Sequence, residues 1–175
     1  MRDKENIFLI GPMGSGKTAV GRHLARLLHF TFQDSDADIE ARTGVEIALI
    51  FEKEGEPGFR AREKESIERL TRLRSIVLAT GGGAVIDADN RRVLAERGAV
   101  VYLATSVDQQ IERTRHSRHR PLLNGTDPER RLQDLMRRRA ALYAEIADLT
   151  VSTDGRRVQV VAEEIRQELR RAQAP

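Results

Sequence analysis

Residues 6–28 read NIFLIGPMGSGKTAVGRHLARLL, and the rest of the chain is organised around them. Asn6 to Ile10 is a short apolar run that reads as a buried strand. Gly11-Pro12-Met13-Gly14-Ser15-Gly16-Lys17-Thr18 then fits the phosphate-loop pattern G-x-x-x-x-G-K-[ST] at every fixed position. The glycines let the backbone curl, so that its N–H groups point at phosphate oxygens. The helix that follows presents its positive end to the same anion. That helix is read from Lys17 to Leu28, with Val20, Leu24, Leu27 and Leu28 at helical spacing. Lys17 is placed to reach the β- and γ-phosphates, and the Thr18 hydroxyl is placed for Mg²⁺.

Outward from this stretch, strands and helices alternate. Strands are expected over His29 to Phe32, with Asp34 just beyond, and over Ile76 to Ala79, Ala99 to Leu103 and Leu149 to Ser152. Helices are expected over Asp36 to Arg42, Glu46 to Glu54, Phe59 to Leu73, Asp87 to Glu96, Val107 to Arg115, Pro128 to Ile146 and Val158 to Arg171. Gly44 and the turn Gly55 to Gly58 separate the early helices, Gly98 lies just past the end of another, and residues 116–126 read as a loop. Such alternation predicts an α/β fold, a parallel sheet with helices on both faces. Ligands of these sheets bind beyond the carboxyl ends of the strands, where the glycine clusters and isolated acids fall. No linker or repeat divides the chain, so one domain over residues 1–175 is expected.

Composition narrows the function. Hydrophobic residues make up 39%, enough for a core, and no apolar run approaches a membrane span. The charged start, with no apolar leader segment, points to the cytoplasm. The absence of cysteine excludes disulfides and thiol chemistry, and four histidines with no pair at metal spacing argue against zinc. No lysine follows an asparagine, so the guanine signature N-K-x-D is missing and adenine is expected. Thr80, not Asp, follows the third strand, so the second metal anchor must come from elsewhere, and Asp34 is the best candidate.

Asp34-Ser35-Asp36 supplies two acids at i and i+2. On an extended strand end they point the same way and divide two tasks, one holding Mg²⁺ through water and one accepting an alcohol's proton. Either could instead cap the next helix. Arg60, with Glu63 three residues on, reads as a two-pronged carboxylate binder oriented by that acid, or as an ordinary surface pair. Gly81-Gly82-Gly83 lets a ligand approach the backbone closely, or is a plain loop. From Arg113 to Arg139 stand nine arginines against three carboxylates. These fit a nucleic-acid face, a set of phosphate-binding arginines or a solvated surface.

Together these residues resemble the shikimate kinase family. The likeness rests on Gly11 to Thr18, Asp34-x-Asp36, Gly55-Glu56-x-x-Phe59-Arg60, Thr80 to Gly83, Arg120-Pro121-Leu122-Leu123 and Arg139-x-x-Leu142-Tyr143, in the family's order and spacing, from Asn6 to beyond Val151. The resemblance implies a P-loop NTPase fold like that of nucleoside monophosphate kinases. Its five-stranded parallel sheet would run in the order 2-3-1-4-5, with an acceptor-binding region at about 34–62 and a lid at about 114–126. It implies ATP, Mg²⁺ and shikimate as ligands, with phosphorylation of the 3-hydroxyl in aromatic amino acid biosynthesis. Lys17, Asp36 and Arg120 would be catalytic. Gly11, Gly14, Ser15, Gly16, Lys17, Thr18, Ala19, Arg113, Arg120 and Arg156 would surround ATP. Asp36, Arg60, Gly81, Gly82, Gly83 and Arg139 would hold shikimate. Thr18, and Asp34 through water, would hold the metal.

Two features depart from the family pattern. Ala140-Ala141 follows Arg139, where Asn-Pro is common, and Arg137 and Arg138 leave the register of the second carboxylate-binding arginine open. The lid is also rich in basic residues, with His116, Arg118 and His119. Competing readings are a kinase of gluconate or a nucleoside monophosphate and, from another class, a nucleotide-dependent nucleic-acid binder. The last is disfavoured by 4% aromatic content, which leaves little to stack on bases. The expectation is a monomer binding neither nucleic acid nor membrane.

Overall fold

A computed structural model of the protein describes residues 5–115 and 127–173. Its elements run β1 (Ile7–Ile10), α1 (Lys17–Leu28), β2 (Thr31–Asp34), α2 (Ser35–Thr43), α3 (Ile47–Leu70), β3 (Ile76–Ala79), a 3₁₀ turn (Ala84–Ile86), α4 (Ala88–Arg97), β4 (Ala99–Ala104), α5 (Val107–Thr114), α6 (Pro128–Ile146), β5 (Leu149–Ser152) and α7 (Val158–Gln173). The five strands form one sheet in the order β2-β3-β1-β4-β5. Every pairing is parallel, so the expected topology stands.

β1 lies at the centre and is buried along its whole length. Its side chains alternate between two cores, as the pleat requires. Ile7 and Leu9 join Val20, Leu24, Val161 and Ile165 beneath α1 and α7. Phe8 and Ile10 join Ile67, Leu70, Leu94 and Tyr143 beneath α3, α4 and α6. A third, smaller cluster of Ile39, Ile50 and Phe59 lies between α2 and the first part of α3, away from the sheet.

Three local expectations need correction. β2 begins at Thr31, not His29. His29 takes φ 57° and closes α1 as its left-handed cap, with its N–H bonded to Arg26 O and the Phe30 N–H bonded to Ala25 O. This is the paired pattern that usually recruits glycine or asparagine. Asp36 does not extend the strand; it lies in the first turn of α2, while Asp34 ends β2 and caps that helix. The turn Gly55 to Gly58 shrinks to one non-helical residue, Gly55, at φ 70° and ψ −177°. Helix resumes at once through Pro57, which sits in a first turn where its missing N–H costs nothing.

Candidate active site

β1 delivers the phosphate loop at the carboxyl edge of the sheet, with Gly11, Gly14 and Gly16 at positive φ. Lys17 turns back over this loop and donates to Gly11 O at 2.7 Å, Pro12 O at 2.8 Å and Ser15 Oγ at 3.3 Å. Ser15 is buried inside the curl, whereas Thr18 and Ala19 open onto solvent at the helix start.

Asp34 is the helix cap, one of the two roles that its position in the sequence left open, and its second oxygen meets Thr18. Its Oδ1 accepts from the backbone N–H of Asp36 at 3.0 Å and of Ala37 at 3.2 Å, capping α2. Its Oδ2 accepts from Thr18 Oγ1 at 3.0 Å. A hydroxyl and a carboxylate oxygen thus meet beside the phosphate loop, a donor set that suits a hard cation such as Mg²⁺. Among the described residues no group of three or more His, Cys, Asp and Glu side chains could hold a metal. A cation here would therefore take its other ligands from phosphate and water.

The turn Gly81-Gly82-Gly83, just past β3, is where the other predicted residues meet. A Cβ on Gly81 would lie 2.6 Å from Glu63 Oε2 and 3.1 Å from Asp36 Oδ1. On Gly82 it would lie 3.3 Å from Met13 N in the phosphate loop and 3.7 Å from Arg139 Nη1. On Gly83 it would collide with the Arg60 guanidinium. No side chain fits at Gly81 or Gly83 while the carboxylate and the guanidinium keep these positions.

Arg60 donates to Glu63 Oε1 at 2.7 Å and to Glu56 Oε1 at 3.1 Å. The Glu63 side chain is only 1% exposed, so this is not a surface pair. Burial opposes the Arg60 charge, but the two carboxylates outweigh it and hold the guanidinium more firmly protonated than usual. Of the three adjacent arginines, Arg139 is the buried one, beside the glycine turn, and Arg137 and Arg138 are exposed. Burial, together with the nearby Arg60 charge, makes Arg139 easier to deprotonate than an ordinary arginine. Two fixed cations thus stand at one glycine turn, a setting that favours an anion.

The Asp36 carboxyl is pushed up to about 7 by burial first, then by the negative charges of Asp34 and Glu63. Lys17 and Arg60 pull it back only in part. Burial likewise raises Glu63. Asp36 Oδ1 and Glu63 Oε2 are both buried without a hydrogen-bond partner, and both face Gly81. A carboxyl with these properties, beside a phosphate loop, is suited to taking a proton near neutral pH.

Arg113 donates to Gly14 O at 3.0 Å, Thr153 Oγ1 at 3.0 Å and Thr153 O at 2.8 Å, joining the phosphate loop to the segment after β5. Arg156 lies in that segment, bonded to Ser152 O at 2.9 Å and paired with Glu164. Arg120 and all but the first residues of the expected lid lie outside the described residues. The residue-by-residue reading passed over two groups, the Ser35 hydroxyl, which accepts from Gly81 N–H at 3.1 Å, and the Tyr143 hydroxyl, which donates to Gly82 O at 2.5 Å. Tyr143 stands one helical turn from Arg139 and so shares its face, a signal the spacing carries. Nothing in the sequence marks Ser35.

Comparison with known proteins agrees with this geometry. The family model described as shikimate kinase matches residues 13–170. A shikimate kinase of Shewanella amazonensis is 52% identical over 97% of this chain and 99% of its own. One of Psychromonas ingrahamii is 53% identical over 94% and 96%. The structure of shikimate kinase from Acinetobacter baumannii in complex with shikimate superposes with a TM-score of 0.97 at 48% identity, over 99% of this chain and 97% of that one. A gluconokinase from Sinorhizobium meliloti, at 19% identity and a TM-score of 0.58, shares the fold alone. With half of its residues identical to those relatives from end to end, the chain belongs to the shikimate kinase family.

Proposed function

We infer that the protein transfers the γ-phosphoryl group of ATP to the 3-hydroxyl of shikimate, giving shikimate 3-phosphate and ADP in the biosynthesis of aromatic amino acids. One observation carries this reading: Asp36, Arg60 and Arg139 converge on Gly81 to Gly83, and Gly82 also touches the phosphate loop at Met13. An acid, two cations and a triphosphate cradle within one hollow suit an acceptor that is both an alcohol and a carboxylate.

Arg60 and Arg139 grip the shikimate carboxylate, and the bare backbone of Gly81 to Gly83 lets the ring lie close. This fixes the 3-hydroxyl in line with the γ-phosphorus. Its proton passes to Asp36 as its oxygen bonds to phosphorus. The bond to the β,γ-bridging oxygen breaks, and ADP leaves with that electron pair. Lys17 neutralises charge on the transferring group. Thr18 and Asp34 would hold Mg²⁺, which would supply positive charge near the phosphates. Ala19 and the loop glycines line the phosphates, Arg113 and Arg156 flank the adenine side, and Arg120 belongs to a lid at about 114–126. The acceptor region at about 34–62 is supported by its own apolar cluster. On this reading the enzyme acts as a cytoplasmic monomer. Among the described residues no helix is long and apolar enough to cross a membrane.

The test is ADP release, followed by a coupled assay, with shikimate, gluconate and a nucleoside monophosphate offered in turn. Turnover with shikimate alone is expected. Turnover with gluconate and none with shikimate would move the assignment to the rival acceptor.

A further inference from the structure

The hollow is walled by several elements that meet around one glycine turn. Asp36 comes from the start of α2, Arg139 from the middle of α6, and the glycine turn runs between them. Two hydroxyls hold that turn from opposite sides. Ser35 is fully buried, and its Oγ accepts the Gly81 N–H at 3.1 Å. Ser66 Oγ donates to Asp38 at 2.7 Å and lies 3.4 Å from the Ser35 carbonyl, beside the same turn of α2. Tyr143 is also fully buried. Its hydroxyl donates to Gly82 O at 2.5 Å, and its ring stacks on Tyr102 with centroids 5.0 Å apart.

The Ser35 hydroxyl is not needed to cap its own helix, and the Tyr143 hydroxyl, besides its bond to the turn, meets the Arg139 guanidinium one turn away on α6. Asp34 caps α2, and the Tyr143 ring fills the core without its oxygen. Each spends its one polar contact with the turn on a different peptide of it. Ser35 is the chain neighbour of Asp36, and Gly81 lies against Asp36 Oδ1. Tyr143 is one turn along α6 from Arg139, and Gly82 lies against Arg139 Nη1. We propose that Ser35 and Tyr143 are positioning residues that clamp the glycine turn and thereby set the distance between the acid that receives the proton and the arginine that holds the carboxylate. A slack turn would leave both groups present and misplaced, and misplacement of about 1 Å at a reacting centre costs up to about a hundredfold in rate.

This inference rests on the shikimate kinase reading. The test is steady-state kinetics of the parent, Tyr143→Phe, Ser35→Ala and Ser35→Thr, with shikimate and ATP varied separately and melting followed by circular dichroism. Tyr143→Phe, which keeps the ring, is expected to raise the KM for shikimate about tenfold with the KM for ATP unchanged. Ser35→Ala is expected to lower kcat about tenfold, and Ser35→Thr, which keeps the oxygen, to restore most of it. Should Ser35→Ala not fold, Ser35→Cys, with a weak acceptor of similar size, is read in its place. Folded variants with both constants within twofold of the parent would overturn the clamp. So would a change in only one of the two positions, or an equal rise in both KM values. A parent that does not phosphorylate shikimate would instead bring down the functional reading itself.

Discussion

Arg60 and Glu63 are three residues apart on a helix, and on that spacing alone the pair is an ordinary surface contact. What makes it part of a site is that Glu63 is buried, with one oxygen on Arg60 and the other facing Asp36 across Gly81. Spacing reports neighbours along one helix and is silent about which side the sheet covers. Lys17 and Thr18 were legible because a loop motif carries its own geometry. Arg139 was legible only to within its two neighbours, and it alone of the three is buried. Because Arg60 binds as a fork, Arg60→Lys should raise the KM for shikimate by at least about tenfold, the loss of about 1.4 kcal/mol or more, with kcat less affected. Titration calorimetry with shikimate reads the same loss as weakened binding. Asp36→Asn should lower kcat by about 10²–10⁴ if the carboxyl is the base. The same variant carries a stability prediction of definite sign. The folded carboxyl titrates at about 7 against an ordinary 3.8, so folding favours its protonated form. Its cost to folding is absent below about pH 4, grows as pH rises through 7, and is complete above it. Asp36→Asn removes that cost, so its melting temperature should exceed the parent's at pH 8 and lose that advantage near pH 4. Equal differences at both pH values would mean the carboxyl is not held protonated.

At the level of elements, the alternation of apolar runs and helical spacing located each strand and α-helix of the described residues, and the errors lie at their ends. β2 was placed two residues early because His29 is an unusual residue for a left-handed cap, with no glycine to advertise it. The break in α3 was read too wide because glycine and proline together suggest a turn, whereas here proline starts the second helical segment. Gly55 is the whole of that break. Its φ and ψ lie in a region essentially closed to residues with a Cβ, and the nearest atom to an added Cβ is Pro57 Cδ at 3.6 Å. The cost of Gly55→Ala is therefore backbone strain, not collision, and should be about 1–3 kcal/mol in denaturant unfolding. Because Arg60 lies in the segment that follows, the KM for shikimate should rise with it, while the KM for ATP should not. A variant of unchanged stability would mean that the kink relaxes freely.

Over the whole molecule, fold class followed from alternation, but the order of the strands did not. Periodicity says that a strand is buried and is silent about its neighbours; the order came from resemblance, and the hydrogen-bond ladders bear it out. Long-range packing was also out of reach of local reading, as Gly98 shows. It lies just past α4 like a capping glycine, yet its φ is −164°, open to any residue. The reason for glycine is the Phe8 ring from the central strand, 2.5 Å from where a Cβ would stand. Gly98→Ala should cost about 1–3 kcal/mol by overpacking and leave both KM values unchanged. Phe8→Leu should recover part of that loss in the double variant, measured as a thermodynamic cycle.

The Arg113 guanidinium has a comparable reach. By bonding Gly14 in the phosphate loop and Thr153 beyond the last strand, it ties that loop to the far edge of the sheet. On the proposed reading, a proteolytic nick between Thr153 and Val158 would be felt first as weaker ATP affinity, while the hollow lined by Asp36, Arg60 and Arg139, which Arg113 does not bond, would outlast it.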